Sequence, residues 1–254
     1  MNQRVSFISR DREPDGEVKR GLRQRVVEAE LLDRLAPADP LAGGARKDLE
    51  QLNALMGHHH LVARELNRIL RQKDCVKLVD IGAGDGRFLL SLARLLGDQV
   101  PPNVSAVLVD STQQACAATW DQFKARGWRV QSVVGDAFEW LRDQGSLQFD
   151  VILANLFLHH FVETELRALL AGIARATRLF VACEPRRSDR ALAGCRLLGV
   201  IGCNHVTRHD ARASVAAGFT GRELSALWPT GPDWQLVERP AGLFSHLFVA
   251  RRTS

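Results

Sequence analysis

The chain has 254 residues, 46% of them hydrophobic and 25% charged, which suits one large α/β domain or a domain with an added subdomain. No run approaches the ~18 uninterrupted apolar residues that a membrane span needs, and five widely spaced cysteines without a C-x-x-C pair speak against a disulfide framework or a zinc site. The net charge of +5 comes from interspersed residues rather than a long basic tract, which describes a solvated Arg-rich surface better than a nucleic-acid face.

Residues 1–16 are polar, with Pro14 and Gly16, and predict a flexible arm; lacking an apolar centre, they do not read as a secretory signal. With the unpaired cysteines this leads us to expect a cytoplasmic protein. From about 17 to 72 the apolar spacing is helical. EVKRGLRQRVVEAELLDRL is one helical segment, APADPLAGG breaks it, and ARKDLEQLNALMGHHHLVARELNRILRQ is the next, with Leu49, Leu52, Leu55 and Met56, then Leu66, Ile69 and Leu70, near i, i+3, i+4 spacing. Residues 17–74 therefore predict an N-terminal helical cap. Three consecutive histidines at 58–60 do not share a helix face, so no metal site is expected there.

After residue 75 short apolar runs alternate with amphipathic helices: VKLVDIG, VSAVLVD, WRVQSVVGD, FDVILANL and RLFVACEP are the strand-like runs. Such alternation implies right-handed crossovers and a buried parallel sheet. The closing stretch DWQLVERPAGLFSHLFVARR holds two extended runs around Pro-Ala-Gly and predicts a hairpin, hence an antiparallel last strand. The expected fold is α/β, a Rossmann-like seven-stranded, mostly parallel sheet with helices on both faces, over residues 75–254. Residues 187–218, before the helical TGRELSALW, form a long connection of the kind that makes a lid.

The chemistry concentrates in VDIGAGDGR, residues 79–87. In an open α/β sheet the ligand lies at the carboxyl ends of the strands, where glycines let the backbone approach it and the next helix aims its N-terminus at it. A dinucleotide motif, G-x-G-x-x-G, would put its third glycine at 87; Arg87 stands there instead, and the spacing is G-x-G-x-G after Asp80. Asp110 ends the second strand, placed for ribose hydroxyls, and Gly135-Asp136-Ala137 ends the third, placed for an adenine amino group.

These motifs, in this order, resemble class I S-adenosylmethionine-dependent methyltransferases over roughly residues 75–251. VDIGAGDGR looks like their first motif, LVD their second, GDAF the adenine-side motif and FDVILANLFLHHF the fourth-strand motif. The resemblance implies S-adenosylmethionine as cofactor, S-adenosylhomocysteine as product, and a cofactor site built from Asp80, Gly82, Ala83, Gly84, Gly86, Asp110, Ser111, Asp136, Ala137, Asn155 and Leu156.

Asn155 is followed by no proline pair, unlike enzymes of this fold that methylate base or glutamine amino groups, and no Pro-Cys context for 5-methylcytosine chemistry occurs. LHHF looks instead like the small-molecule branch, and the flanking segments look like a type-11-like bacterial subgroup from secondary metabolism. The acceptor implied is a small apolar or aromatic molecule, O-methylated at a phenol-like hydroxyl, with C-methylation of a quinone or polyketide ring as the alternative and RNA methylation a more distant one. Candidate bases are His160, which is favoured, His159, and His209 in NHVTRHDA, where His205 and Arg208 are candidate acceptor contacts; Thr207 or Asp210 as a helix N-cap is the competing structural reading of that stretch. Monomer and homodimer are both left open.

Overall fold

The computed structural model describes residues 22–36, 39–70, 73–97, 103–112, 117–231 and 233–253. The arm expected over residues 1–16 lies outside them.

Seven strands form one sheet: β1 (Cys75–Ile81), β2 (Asn103–Asp110), β3 (Arg129–Val134), β4 (Phe149–Asn155), β5 (Thr177–Pro185), β6 (Trp234–Ala241) and β7 (Ser245–Arg252). Their order is β3-β2-β1-β4-β5-β7-β6, with β1 to β5 parallel and β7 antiparallel between β5 and β6. This is the expected Rossmann-like arrangement. The hairpin turns later than its Pro-Ala-Gly suggests, because Pro240 and Ala241 still pair with His246 and Ser245. Pro240 is tolerated there because β6 is an edge strand.

The described helices are α1 (Leu31–Arg34), α2 (Pro40–Leu55), α3 (His58–Leu70), α4 (Arg87–Leu96), α5 (Ala117–Lys124), α6 (Ala137–Arg142), α7 (Glu163–Ala176), α8 (Asp189–Cys195), α9 (His205–Ala217) and α10 (Glu223–Leu227). Strand alternation divides the core between the two sheet faces. Leu78, Val181 and Val249 pack with α3 and α4 through Leu66, Leu89 and Leu92. Val79, Ile152, Phe180 and Phe248 pack with α7 through Leu166, Leu169 and Ile173. A third, smaller cluster joins α8 and α9 to Leu22, Leu52 and Phe244.

The N-terminal region departs from its periodicity. Of the helix expected over EVKRGLRQRVVEAELLDRL, residues 17–21 lie outside the described residues and 25–30 are an extended strap; only Leu31–Arg34 is helical. Tertiary contacts take the hydrogen bonds that a helix would use. Val26 N–H bonds to Ala216 O, and the Arg25 guanidinium reaches Ala217 O, His159 O and Phe161 O. Asp39 caps α2, Pro40 occupies its first turn, and Gly43 and Gly44 are helical, so the expected break at APADPLAGG ends earlier than its glycines suggest. The single long helix expected after it is two, parted at Gly57, whose φ of +70° ends α2 in the left-handed region. Of these helices α3 covers the sheet beside α4, leaving the strap and α2 to face the strand ends.

Candidate active site

The chain between β1 and α4 rises off the sheet, where Val109 O of β2 accepts from the amides of Gly82 and Ala83. Gly82 has φ +72°, and a Cβ there would meet the Phe157 ring at 2.2 Å. A side chain is excluded both by the backbone conformation and by that ring. Gly86 caps α4 with φ +76°, close against Leu108. Asp110, at the end of β2, fixes the loop: one carboxylate oxygen accepts from Gly84 N–H at 2.8 Å, the other from Thr112 N–H and Oγ1 at 3.0 Å.

Beneath the loop lies Asp80, 2% exposed, with Oδ2 lacking a hydrogen-bond partner. Burial, and then the charge of Asp110, push its pKa up to about 8.

The opposite wall begins at β4. Leu156 takes φ +54° just after Asn155, a left-handed conformation uncommon for a residue with a side chain and typical of sites that store strain. Glu184 of β5, wholly buried, holds the turn that follows. Its Oε1 accepts from the amides of Phe157 and Leu158 at 3.0 and 2.9 Å, and its Oε2 from the His159 amide and ring Nδ1 at 3.3 and 2.8 Å. On the other side of His159, Nε2 lies 3.3 Å from Glu30 of the strap.

Burial alone would lower the His159 pKa, but the two carboxylates outweigh it and raise the pKa to about 9. His159 is thus an imidazolium locked between two acids. His160, its ring 4.2 Å from that of His159 and tilted 33° to it, is held below its ordinary pKa by burial and by that positive charge, and is neutral at pH 7. Its Nδ1 lies 3.8 Å from Asp33 of α1. Glu30, His159 and His160 bring ligand-type atoms within 4.8 Å of one another, a grouping that the histidine spacing did not foretell. Both His159 nitrogens already face carboxylates, so a proton serves there as the cation.

A cavity of about 630 Å³ opens between these walls, within the ~300–1,000 Å³ usual for ligand sites. Gly82 to Asp85, Arg87 and Asp110 to Thr112 line one part; Asn155, Leu156, Phe157 and His160 line another; Leu32 and Asp33 of α1, Leu35 after it, and Arg46, Leu49, Glu50 and Asn53 of α2 complete it with His59 and Phe88. Arg87, at the place of a dinucleotide third glycine, pairs with Asp85 and reaches Glu50, joining α2 to the glycine loop.

Other expected residues stand apart. Asp80, Gly86, Asp136 and Ala137 do not line the cavity, and Asp136 caps α6 by accepting from the amides of Phe138 and Glu139. His159 is buried behind His160. His205, Arg208 and His209 lie on α9, exposed and outside the cavity lining. The α9 N-cap is Asn204, not Thr207 or Asp210. Asp210 instead accepts from the Leu31 and Leu32 amides at 2.8 and 2.9 Å, so residues 187–218 brace the strap from behind.

Sequence reasoning missed Glu184, Glu30, Asp33, Asn53 and His58. Buried His58 bonds Asn155 Oδ1 at 2.9 Å and Ser245 Oγ at 2.7 Å, and burial lowers its pKa to about 4. The only trace of these in the sequence was the position of Glu184, in ACEP at the end of a strand, where open sheets place ligand-side groups.

Residues 78–179, from β1 into β5, match a family model described as a methyltransferase domain. The chain carries a methyltransferase domain. Its fold is the class I fold, shared with solved structures of low identity. One is the plantazolicin methyltransferase BamL, solved with a triazolic desmethylPZN analogue and SAH (TM-score 0.63, 10% identity, 95% of this chain and 100% of that one). Another is a candidate O-methyltransferase from Nostoc punctiforme PCC 73102 (TM-score 0.55, 20% identity, 93% and 67%). A third comes from work on converting a disulfide bond into a thioacetal group in echinomycin biosynthesis (TM-score 0.51, 20% identity, 75% and 81%). No curated protein sequence matches the chain.

S-adenosylmethionine is the methyl donor of this class, and the residues of the methyltransferase domain fit it. The unpartnered Asp80 oxygen suits a buried ammonium group, and at Gly84 a Cβ would meet nothing within 4 Å, leaving open space beside the loop amides. No described helix is long and apolar enough to cross a membrane.

Proposed function

We propose that this methyltransferase O-methylates a small, largely apolar acceptor bearing a phenol-like hydroxyl, with His160 as general base. The observation that carries this reading is a cavity lined by the glycine loop and Asp110 on one side and by Leu32, Leu35, Leu49 and Phe88 on the other, with neutral His160 on its wall. Fold neighbours associated with O-methylation and with plantazolicin and echinomycin chemistry are in keeping with that acceptor class.

In this reading Asp80, Gly82, Ala83 and Gly84 receive the methionine part of the cofactor, Asp110 and Ser111 the ribose, and Asp136 and Ala137 the adenine end. Asn155 and Leu156 close the cofactor side. When bound, S-adenosylmethionine supplies a methyl group on a cationic sulfur, which departs as a neutral thioether and needs no protein acid. The protein's task is alignment: orienting an attacking atom is worth ~7–11 kcal/mol in well-ordered systems. On the acceptor side His160 would take the proton that the hydroxyl gives up when its oxygen is methylated. The imidazolium of His159 favours the neutral form of His160 that this step requires. Strap and α2 form the lid that keeps water from the acceptor, over a main domain of residues 75–254.

Calorimetric titration with S-adenosylmethionine, S-adenosylhomocysteine and NAD tests the cofactor: micromolar binding of the two adenosyl ligands, lost in Asp110→Ala, is expected, and binding of NAD instead would overturn it. For the base, His160→Ala should lower turnover at saturating acceptor by ~10²–10⁴-fold; a fall of less than ~10-fold removes His160 from that role.

A further inference from the structure

The run His58-His59-His60 opens α3, and its three rings go three ways. His58 is fully buried, His60 is exposed, and His59 stacks on Phe88 at 4.7 Å, both rings lining the cavity. His58 is neutral, burial having lowered its pKa to about 4. A neutral imidazole carries one N–H and one bare nitrogen. Nδ1 faces Asn155 Oδ1 at 2.9 Å, an oxygen that only accepts, so Nδ1 holds the hydrogen. Nε2 is then bare and accepts from the Ser245 hydroxyl at 2.7 Å.

The direction set at His58 carries on to the cavity. With its Oδ1 held by His58, Asn155 turns Nδ2 to Asn53 Oδ1, which accepts at 3.0 Å. Asn53 is only 8% exposed, and its own Nδ2 has no acceptor among the described residues. Arg46, Leu49, Glu50 and Asn53, at i, i+3, i+4 and i+7, form the stripe of α2 that lines the cavity. The cavity is therefore the open space left to the Asn53 N–H groups. Leaving a nearly buried N–H without an acceptor is costly, so a ligand oxygen is favoured there.

We propose that Asn53 determines acceptor specificity, its amide N–H donating to a carbonyl oxygen that the acceptor carries apart from the hydroxyl to be methylated, with His58 as the positioning residue that fixes the direction of that amide through Asn155. The inference rests on the reading of α2 as part of the lid over the acceptor. An uncharged amide matches a neutral oxygen, and the stacked His59 and Phe88 offer an aromatic ring a face to lie against. The acceptor class is thereby narrowed to phenolic ketones.

The full chain supplies two readouts. Nitrogen NMR of the histidine rings at neutral pH should show His58 as the Nδ1–H tautomer; the Nε2–H tautomer would reverse the chain of bonds, turn Asn53 Oδ1 toward the cavity and overturn the proposal. Calorimetry of the S-adenosylhomocysteine complex with para-hydroxyacetophenone and with para-ethylphenol, which differ by one carbonyl, should favour the ketone by ~10-fold. Asn53→Ala should abolish that preference. His58→Asn, able to donate from the Nδ1 position, should keep it, whereas His58→Gln, whose amide stands at the Nε2 position, should lose it. Equal affinities in the wild type, a preference that survives in Asn53→Ala, or one kept in both His58 variants overturns the proposal and leaves His160 and methyl transfer untouched. Binding of neither probe removes the phenol-type acceptor along with it. If Asn53→Ala instead weakens S-adenosylhomocysteine ~10-fold while methylthioadenosine, which lacks the carboxylate, binds as before, the amide serves the cofactor and the proposal falls.

Discussion

The two walls of the cavity are built by different physics. The glycine-loop wall is backbone: amides bonded to Val109 O and to Asp110, with glycines where side chains have no room. The lid-side wall is ionic: Glu30, His159 and Glu184 in line, neutral His160 beside them, and a strap whose amides depend on Asp210. One wall is mostly backbone, pinned by the single carboxylate of Asp110. The other draws on strap, β4 turn, β5 and α9 together, and fails if any one charge is lost.

Glu184→Ala tests the ionic wall most severely. It leaves a buried imidazolium and three amides without their acceptor, and removing one partner of such a buried pair costs about 3–5 kcal/mol. At this chain length that corresponds to a melting temperature lower by roughly 6–20 °C in calorimetry, and a fall under about 2 °C would show that the wall is not held by this charge. Gly82→Ala tests the backbone wall. Left-handed strain of about 1–2 kcal/mol is expected, together with displacement of Phe157 and weakened S-adenosylhomocysteine binding; unchanged binding would mean the loop has room that its geometry denies.

The pH dependence spreads over a range rather than a single step, at most about 1.4 kcal/mol per pH unit for each proton. His159 is raised from 6.5 to about 9 on folding, so its contribution is complete below pH 6.5 and is lost as pH rises through about 9. Asp80, raised from 3.8 to about 8, has the same sign, its contribution being lost between those values. Stability should therefore decline toward alkaline pH. S-adenosylhomocysteine should flatten the Asp80 part by bringing an ammonium group to it, and His159→Asn should flatten the other. Melting curves from pH 6 to 9 that run level in the unliganded protein would contradict both.

The same contrast explains what the sequence made legible. VDIGAGDGR, LVD and FDVILANL could be read because strand period, glycine spacing and strand-end acids are short-range patterns, and the sheet assembled from them as expected. His160 emerged for the same reason, following its strand directly. Glu30 sits in a stretch with helical periodicity, and nothing local reveals that Arg25 would draw residues 25–30 out into a strap and leave only Leu31–Arg34, with Asp33, helical. His205, Arg208 and His209 lie outside the cavity lining for a related reason: the 187–218 connection folds into helices that brace residues 25–34 from behind.

The strap's bonds join residues 129 to 192 positions apart in the chain. Contacts so distant in sequence are the slowest to close, because the chain between them must already be ordered. In refolding, then, the half of the cavity near the glycine loop should mature before the half beside the strap. A chain emerging from synthesis makes the strap well before α9 and the β4 turn, and secures it only once they exist to hold it.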